Sequence, residues 1–216
     1  MGKNKEKYII WIIGSNASGK TTQSKLLHKR YRNGETMFID EVFDSEKVRA
    51  TSFGTRIGHV GLVKDNQCTG TDTINTKESL RLSSAVISAK CDIIIVDGIM
   101  ATGQWINIFK SFPNTKIAVI LLDFPDLMEN LQRVLRRRAN KVLLKESGKS
   151  EEEIFDELIS SLDERTVKNM SSKIKNFRSL YERVKNECDL HFSIDASLTE
   201  NKIHVKILQE LKGFIN

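Results

Sequence analysis

Apolar residues fall along this chain in short unbroken runs separated by segments with helical spacing. Tyr8 to Ile13 is the first such run, Thr36 to Ile39 a short second, and Ile93 to Val96 a third with four β-branched residues in succession. Lys116 to Leu122 and Leu190 to Ile194 complete the set. Runs that are continuous rather than alternating mark strands buried on both faces. A helix is expected from Lys20 to Tyr31. Leu127, Leu131, Val134 and Leu135 share one helical face, with Pro125 suited to its first turn and Asp126 near its positive end. Ser150 with Glu153 reads as a capping box. Val167, Met170, Ile174, Phe177, Tyr181 and Val184 stripe a long helix, and Ser197 with Glu200 opens the last one, carrying Ile203, Ile207, Leu208 and Leu211. The pattern predicts a single α/β domain: a five-stranded parallel sheet flanked by helices on both faces.

From Asp40 to Thr76 the periodicity breaks. Four of the twelve glycines, Gly54, Gly58, Gly61 and Gly70, fall there. A long excursion inside one domain is more often functional than structural, and residues 41–76 are assigned to acceptor binding.

Composition adds little to this and excludes some classes. With 39% apolar and 29% charged residues the chain reads as globular, without low-complexity tracts or repeats. The first apolar run is too short for a signal-peptide core or a membrane span. Cys68, Cys91 and Cys188 form an odd, widely spaced set, with neither metal-ligand nor disulfide spacing, which points to a reducing compartment and the cytoplasm. The net charge of +6 suits a polyanionic partner, nucleotide or nucleic acid, and equally a solvated lysine-rich surface.

Gly14-Ser-Asn-Ala-Ser-Gly-Lys-Thr21 fits G-x-x-x-x-G-K-[ST], between a predicted strand and a predicted helix. Glycines at both ends admit backbone angles that turn successive N–H groups inward, and the following helix aims its positive end at the same point. A triphosphate is the ligand such a cradle takes. Gly14, Ser15, Asn16, Ala17, Ser18, Gly19, Lys20, Thr21 and Thr22 are the expected nucleotide-binding residues, Lys20 bridging the β and γ phosphates and Thr21 placed to ligate Mg²⁺. ATP and Mg²⁺ are the expected cofactors, and no membrane is expected as a partner.

The loop alone does not separate kinases from switches and motors. Asn140-Lys141 is followed by Val and Leu, and Asp97 by Gly-Ile-Met, so both guanine-switch motifs fail. Ile93-Ile-Ile-Val-Asp-Gly98 resembles the third-strand ending of the nucleotide and small-molecule kinases with a phosphate-binding loop. Ile120-Leu-Leu-Asp-Phe-Pro125, followed by Arg133 and Arg136 to Arg138, resembles their fourth strand and lid-entry helix. The resemblance covers nearly the whole chain and implies the P-loop kinase fold over residues 1–216, with a short lid at 139–151. It implies that Asp97 holds Mg²⁺ and that Arg133 and Arg137, one turn apart, neutralise charge on the transferring group. A strand-end turn residue for Asp97 and solvated surface roles for the arginines are the plain alternatives.

A narrower pattern is Gly58-His-Val-Gly-Leu-Val, then Cys68-Thr-Gly-Thr-Asp-Thr-Ile74, then Val96-Asp-Gly-Ile-Met. It resembles phage-encoded kinases that phosphorylate 5-hydroxymethyluracil in DNA, with Thr69 where that family has glycine and Asp97 where it has Glu. This resemblance implies a DNA acceptor and, for a phage protein, the host cytoplasm.

An acceptor hydroxyl must lose its proton during transfer. Asp40, Glu41 and Asp44, which end or follow the second strand, or Asp72 in the Gly-Thr-Asp-Thr stretch, are the candidate bases; a turn or cap role is the alternative for each. Arg49, Arg56 and Thr71 join them as acceptor-binding candidates, the arginines as bidentate clamps. His59 reads as a packing or hydrogen-bonding residue. Trp105 suits either base stacking or the core, and by analogy Asp195 to Ser197 lies where related kinases hold adenine. The alternatives are a free deoxynucleoside monophosphate as acceptor, or a nucleotide-binding regulator or ATPase with none.

Overall fold

The computed structural model describes residues 5–64, 67–74, 76–98, 101–143 and 149–215. Among the described residues, nine strands and seven α-helices follow in the order β1 (Lys7–Gly14), α1 (Lys20–Tyr31), β2 (Thr36–Phe43), β3 (Glu46–Phe53), β4 (Ile57–Val60), β5 (Val63–Lys64), β6 (Gln67–Cys68), α2 (Lys77–Lys90), β7 (Ile93–Asp97), α3 (Trp105–Lys110), β8 (Thr115–Asp123), α4 (Leu127–Leu143), α5 (Glu151–Ser160), α6 (Glu164–Val184), β9 (Leu190–Asp195) and α7 (Glu200–Leu211). A 3₁₀ turn, Gly70–Thr73, lies between β6 and α2. Among the described residues, no helix is long and apolar enough to cross a membrane.

The main sheet has seven strands in the order β2-β3-β4-β7-β1-β8-β9 and is mixed, which corrects the expectation of five parallel strands. Five strands do run parallel, β4, β7, β1, β8 and β9. The Thr36 run points the same way but pairs with none of them. It pairs antiparallel with β3 as an edge hairpin whose two-residue turn, Asp44 (φ 46°) and Ser45 (φ 69°), is left-handed at both positions.

Two sheet strands, β3 and β4, therefore lie inside the stretch that looked aperiodic. Several of their buried positions are small or polar, Ala50, Thr51, Ser52 and His59, and these interrupt the apolar run made by Val48, Phe53, Ile57 and Val60. Gly58 sits in β4 because a Cβ there would meet Ile87 Cγ1 at 2.3 Å, so this glycine serves close helix–strand packing.

Both sheet faces are covered. Ile9, Trp11 and Ile13 face a core shared with α2, α3 and α6; Tyr8, Ile10 and Ile12 face one shared with α1 and α7. Helix α2, with Ser79, Ser83 and Ser84 on its buried side, and α3 escaped the sequence pattern. The capping box of α5 is present. Helix α4 is capped by Asp126, which accepts from Met128 N at 2.8 Å, leaving Pro125 outside. Helix α7 begins after Thr199, while Ser197 belongs to a turn in which its N–H donates to Asp195 Oδ1.

Candidate active site

The loop between β1 and α1 folds into a cradle of main-chain groups. Gly14 cannot carry a side chain, because a Cβ would lie 2.5 Å from Leu122 O and 2.7 Å from Ser18 Oγ. Gly19 is left-handed (φ 88°) and starts α1 without a side-chain cap, so the first-turn N–H groups are presented toward the loop. Ser15 Oγ and Ser18 Oγ are buried without a hydrogen-bond partner. Lys20 Nζ donates to Gly14 O and Ser15 O, both at 2.8 Å, and lies 5.7 Å from the centre of the Phe177 ring on α6. Burial, helped by the like charges of Arg137 and Lys173 and opposed by Asp97 and Asp72, pushes the Lys20 ammonium down to about 8. Orphaned hydroxyls and a desolvated cation are what an incoming polyphosphate would satisfy, so the cradle fits one.

The cradle separates two cavities. One, of about 450 Å³, runs from Ala17–Gln23 to Arg133, Arg137, Leu198, Glu200 and Ile203. The other, of about 330 Å³, lies on the far side and is lined by Lys20, Thr21, Asp72, Asp97, Arg137 and Arg138, among others. Lys20, Thr21 and Arg137 belong to both, at the junction. Helix α4 reaches it through Asn130, whose Nδ2 donates to Asn16 O at 2.7 Å; Val134 and Arg137 follow on the same face.

The predicted residues separate clearly. Asp97, at the end of β7, accepts from Ser24 Oγ at 2.7 Å and faces His59 Nε2 at 3.2 Å. Burial works to raise its pKa, yet His59, Ser24 and Lys20 hold it below the ordinary value. Thr71 Oγ1 donates to Asp97 O at 2.9 Å, and glycines close the contact: a Cβ on Gly61 would meet Gly70 O at 2.0 Å, and one on Gly70 would meet Asp97 Oδ1 at 2.2 Å. Residues 68–73 thus clasp the end of β7 and bring Asp72 to the crevice. Thr69 needs no glycine, since its φ is −84° and its hydroxyl donates to Leu62 O at 3.2 Å.

Other candidates do not gather there. Asp40 is ion-paired with Arg49 at 2.9 Å, and Glu41 is its neighbour on the sheet edge. Four strand spacings separate β2 from β1, about 19 Å at ~4.8 Å each. Arg56 lies at the opposite, amino end of the parallel strands, 3.5 Å from Asp92. Neither arginine is placed to clamp an acceptor beside Lys20. Arg133 borders the larger cavity but donates to Ala196 O and Ser197 O, each at 2.6 Å, tying α4 to the loop after β9. Trp105 stacks on Trp11 in the core. Of the predicted lid at 139–151, residues 144–148 lie outside the described residues, as do Ile99 and Met100 of the narrower motif.

Three contributors were missed: Asn130, Lys173, and the polar buried side of α1. On that side Gln23 donates to Glu200 O at 3.0 Å, Ser24 to Asp97, and His28 Nε2 lies 3.1 Å from His59 Nδ1. Polar residues at 23, 24 and 28, where a helix should bury apolar ones, were the available signal. Burial pushes His59 toward neutrality, but Cys68 and Asp97 raise it to about 10; burial, with His59 beside it, lowers His28 to about 2. The pair thus favours a single positive charge, on the ring facing Asp97.

No family model matches the chain, and no curated protein does. Solved structures similar to it include deoxyadenosine kinase from M.mycoides with the products dCMP and a flexible dCDP bound. That structure is 16% identical, with a TM-score of 0.42, over 95% of this chain and 99% of that one. The same enzyme with bound dATP gives 16% and 0.41, over 94% and 98%. Identity this low and superposition this loose transfer no substrate.

Proposed function

We propose that this chain is an ATP-dependent kinase that transfers the γ-phosphoryl group to a hydroxyl of a nucleotide-type acceptor. The observation that carries this is the two-lobed cleft, with Lys20, Thr21 and Arg137 at the junction and Asp72 lining the lobe that also holds Asp97. A donor nucleotide would lie in the lobe toward Leu198 and Ile203, and an acceptor in the lobe holding Asp72. Phosphoryl transfer asks mainly for positioning and charge neutralisation. Lys20 and the loop N–H groups would hold the β and γ phosphates, and Arg137 would meet the group in transit. Asp72 would take the acceptor proton. Thr21 and Asp97 would hold Mg²⁺, which when bound neutralises phosphate charge. Asp97 is itself held by Ser24 and His59, so it serves as a fixed anion rather than a base.

A DNA base as acceptor, the second reading, draws support from the Cys68–Ile74 segment. This segment carries the resemblance to hydroxymethyluracil DNA kinases and is also the clasp that presents Asp72. The test is incubation with γ-labelled ATP, Mg²⁺ and three acceptor classes: free deoxynucleosides and their monophosphates, ordinary DNA, and DNA containing hydroxymethylated pyrimidines. Label is expected in one class, with Asp72→Asn slower by about 10²–10⁴-fold. ATP hydrolysis at one rate whatever the acceptor would identify an ATPase instead.

A further inference from the structure

Three side chains with metal-binding atoms converge beside the cradle, although their spacing in the sequence gives no hint of it. His59 comes from β4, Cys68 from β6 and Asp97 from the end of β7. Their ligating atoms all lie within 4.8 Å of one another. His59 Nε2 is 3.2 Å from Asp97 Oδ1 and 3.7 Å from Cys68 Sγ. A tetrahedral zinc ion, with bonds of about 2.0–2.1 Å to N or O and about 2.3 Å to S, separates its ligands by about 3.3 Å for N and O and about 3.6 Å for N and S. We propose that His59 Nε2, Cys68 Sγ and Asp97 Oδ1 form a binding site for a zinc-like divalent ion, its fourth position open to the crevice.

The surroundings are those such a site requires. A ligating histidine holds its ring by donating the other N–H to an outer partner, and His59 Nδ1 has His28 Nε2 at 3.1 Å. A ligating carboxylate is held through its second oxygen, and Asp97 Oδ2 accepts from Ser24 Oγ at 2.7 Å. Cys68 and Asp97 both line the 330 Å³ cavity, which supplies an entry path and room for a water as fourth ligand. The other two thiols are engaged elsewhere, Cys91 with Gly54 O and Cys188 with Val184 O. One nitrogen, one sulfur and one oxygen donor suit Zn²⁺ or Co²⁺ and not Mg²⁺. Binding releases the Cys68 thiol proton and the proton shared by His59 and Asp97 to solvent, and forms three metal–ligand bonds. The site does not depend on the kinase reading. If that reading holds, the two ions compete for Asp97 and zinc lowers the transfer rate.

Titration of the metal-stripped protein with Co²⁺ tests this. A thiolate-to-cobalt charge-transfer band should grow in the near ultraviolet, saturate at one equivalent and vanish on adding Zn²⁺. Cys68→Ser should lose the band, Cys188→Ser should keep it, and His28→Gln should weaken binding by about 10–100-fold. Absence of the band, or its survival in Cys68→Ser, overturns the proposal. A measurement on the unaltered chain guards against misfolding of the variants: Zn²⁺ should slow alkylation of Cys68, located by peptide mass, and equal rates with and without zinc also overturn it. Neither readout involves ATP, so a failed kinase assay leaves both intact.

Discussion

Lys20 is charged in a place that disfavours charge, and that strain is its usefulness. Buried against Phe177 and repelled by Arg137 and Lys173, it binds its proton less tightly than a lysine in water. The unfolded chain holds that proton up to about pH 10.5, the folded chain only to about 8, so stability rises with pH between those values. Lys20→Met removes an electrostatic penalty on the order of 3 kcal/mol at neutral pH, less what the bonds to Gly14 O and Ser15 O return. The variant should melt several degrees higher than the parent at pH 7, with the difference shrinking as pH approaches 10.5. Phosphoryl transfer should fall by about 10²–10³-fold or more in the same variant. A melting point that drops at pH 7 would count against the burial account. The loop was fully legible in the sequence, because its spacing is set by backbone chemistry. That Arg137 meets Lys20 while Arg133 is spent on the carbonyls of Ala196 and Ser197 was not, since both share one helical face.

At the scale of elements, the clasp of residues 68–73 on β7 rests on glycine. Gly70 is left-handed (φ 50°), and a methyl group there would meet Asp97 Oδ1 at 2.2 Å and Asp97 O at 2.6 Å. Gly213 has a similar backbone (φ 89°) with nothing within 4 Å, so it isolates the conformational penalty from the clash. In urea melts, Gly70→Ala should cost about 1–3 kcal/mol more than Gly213→Ala and should slow transfer by displacing Asp97. Equal losses would show that the clasp yields freely. The glycines of 54–70 were read as signs of a loop, yet Gly58 lies in a strand and Gly61 and Gly70 are contact points. A glycine needed for close approach and one needed for a turn look alike until the neighbour is known. Strands β3 and β4 were hidden for a related reason: Ala50, Thr51, Ser52, Gly58 and His59 bury little apolar bulk and break the pattern by which strands are found.

Across the whole molecule, acid should act through the buried histidines. His28, lowered to about 2, refuses a proton that the unfolded chain accepts near pH 6.5. Its contribution to stability is therefore complete above pH 6.5 and is lost progressively as pH falls toward 2. By pH 5 the loss should be about 2 kcal/mol. Urea denaturation from pH 7 to 5 should show this acid limb in the parent, and His28→Gln, which keeps a partner for His59 but does not titrate, should flatten it. An unchanged slope in that variant would place the sensitivity elsewhere.

By itself the sequence determined the α/β architecture, the strand–loop–helix unit around Gly14 to Thr21 and the positions of most helices, because strand burial, helical period and loop chemistry are local properties of the chain. Only the tertiary structure decided that seven strands rather than five form the sheet. It alone separated Asp72 from Asp40 and Arg137 from Arg56, and it alone brought His28, His59, Cys68 and Asp97 together. Those are distances between elements remote in the chain, set by strand order and by which glycines let two backbones touch. No periodicity along the chain encodes them.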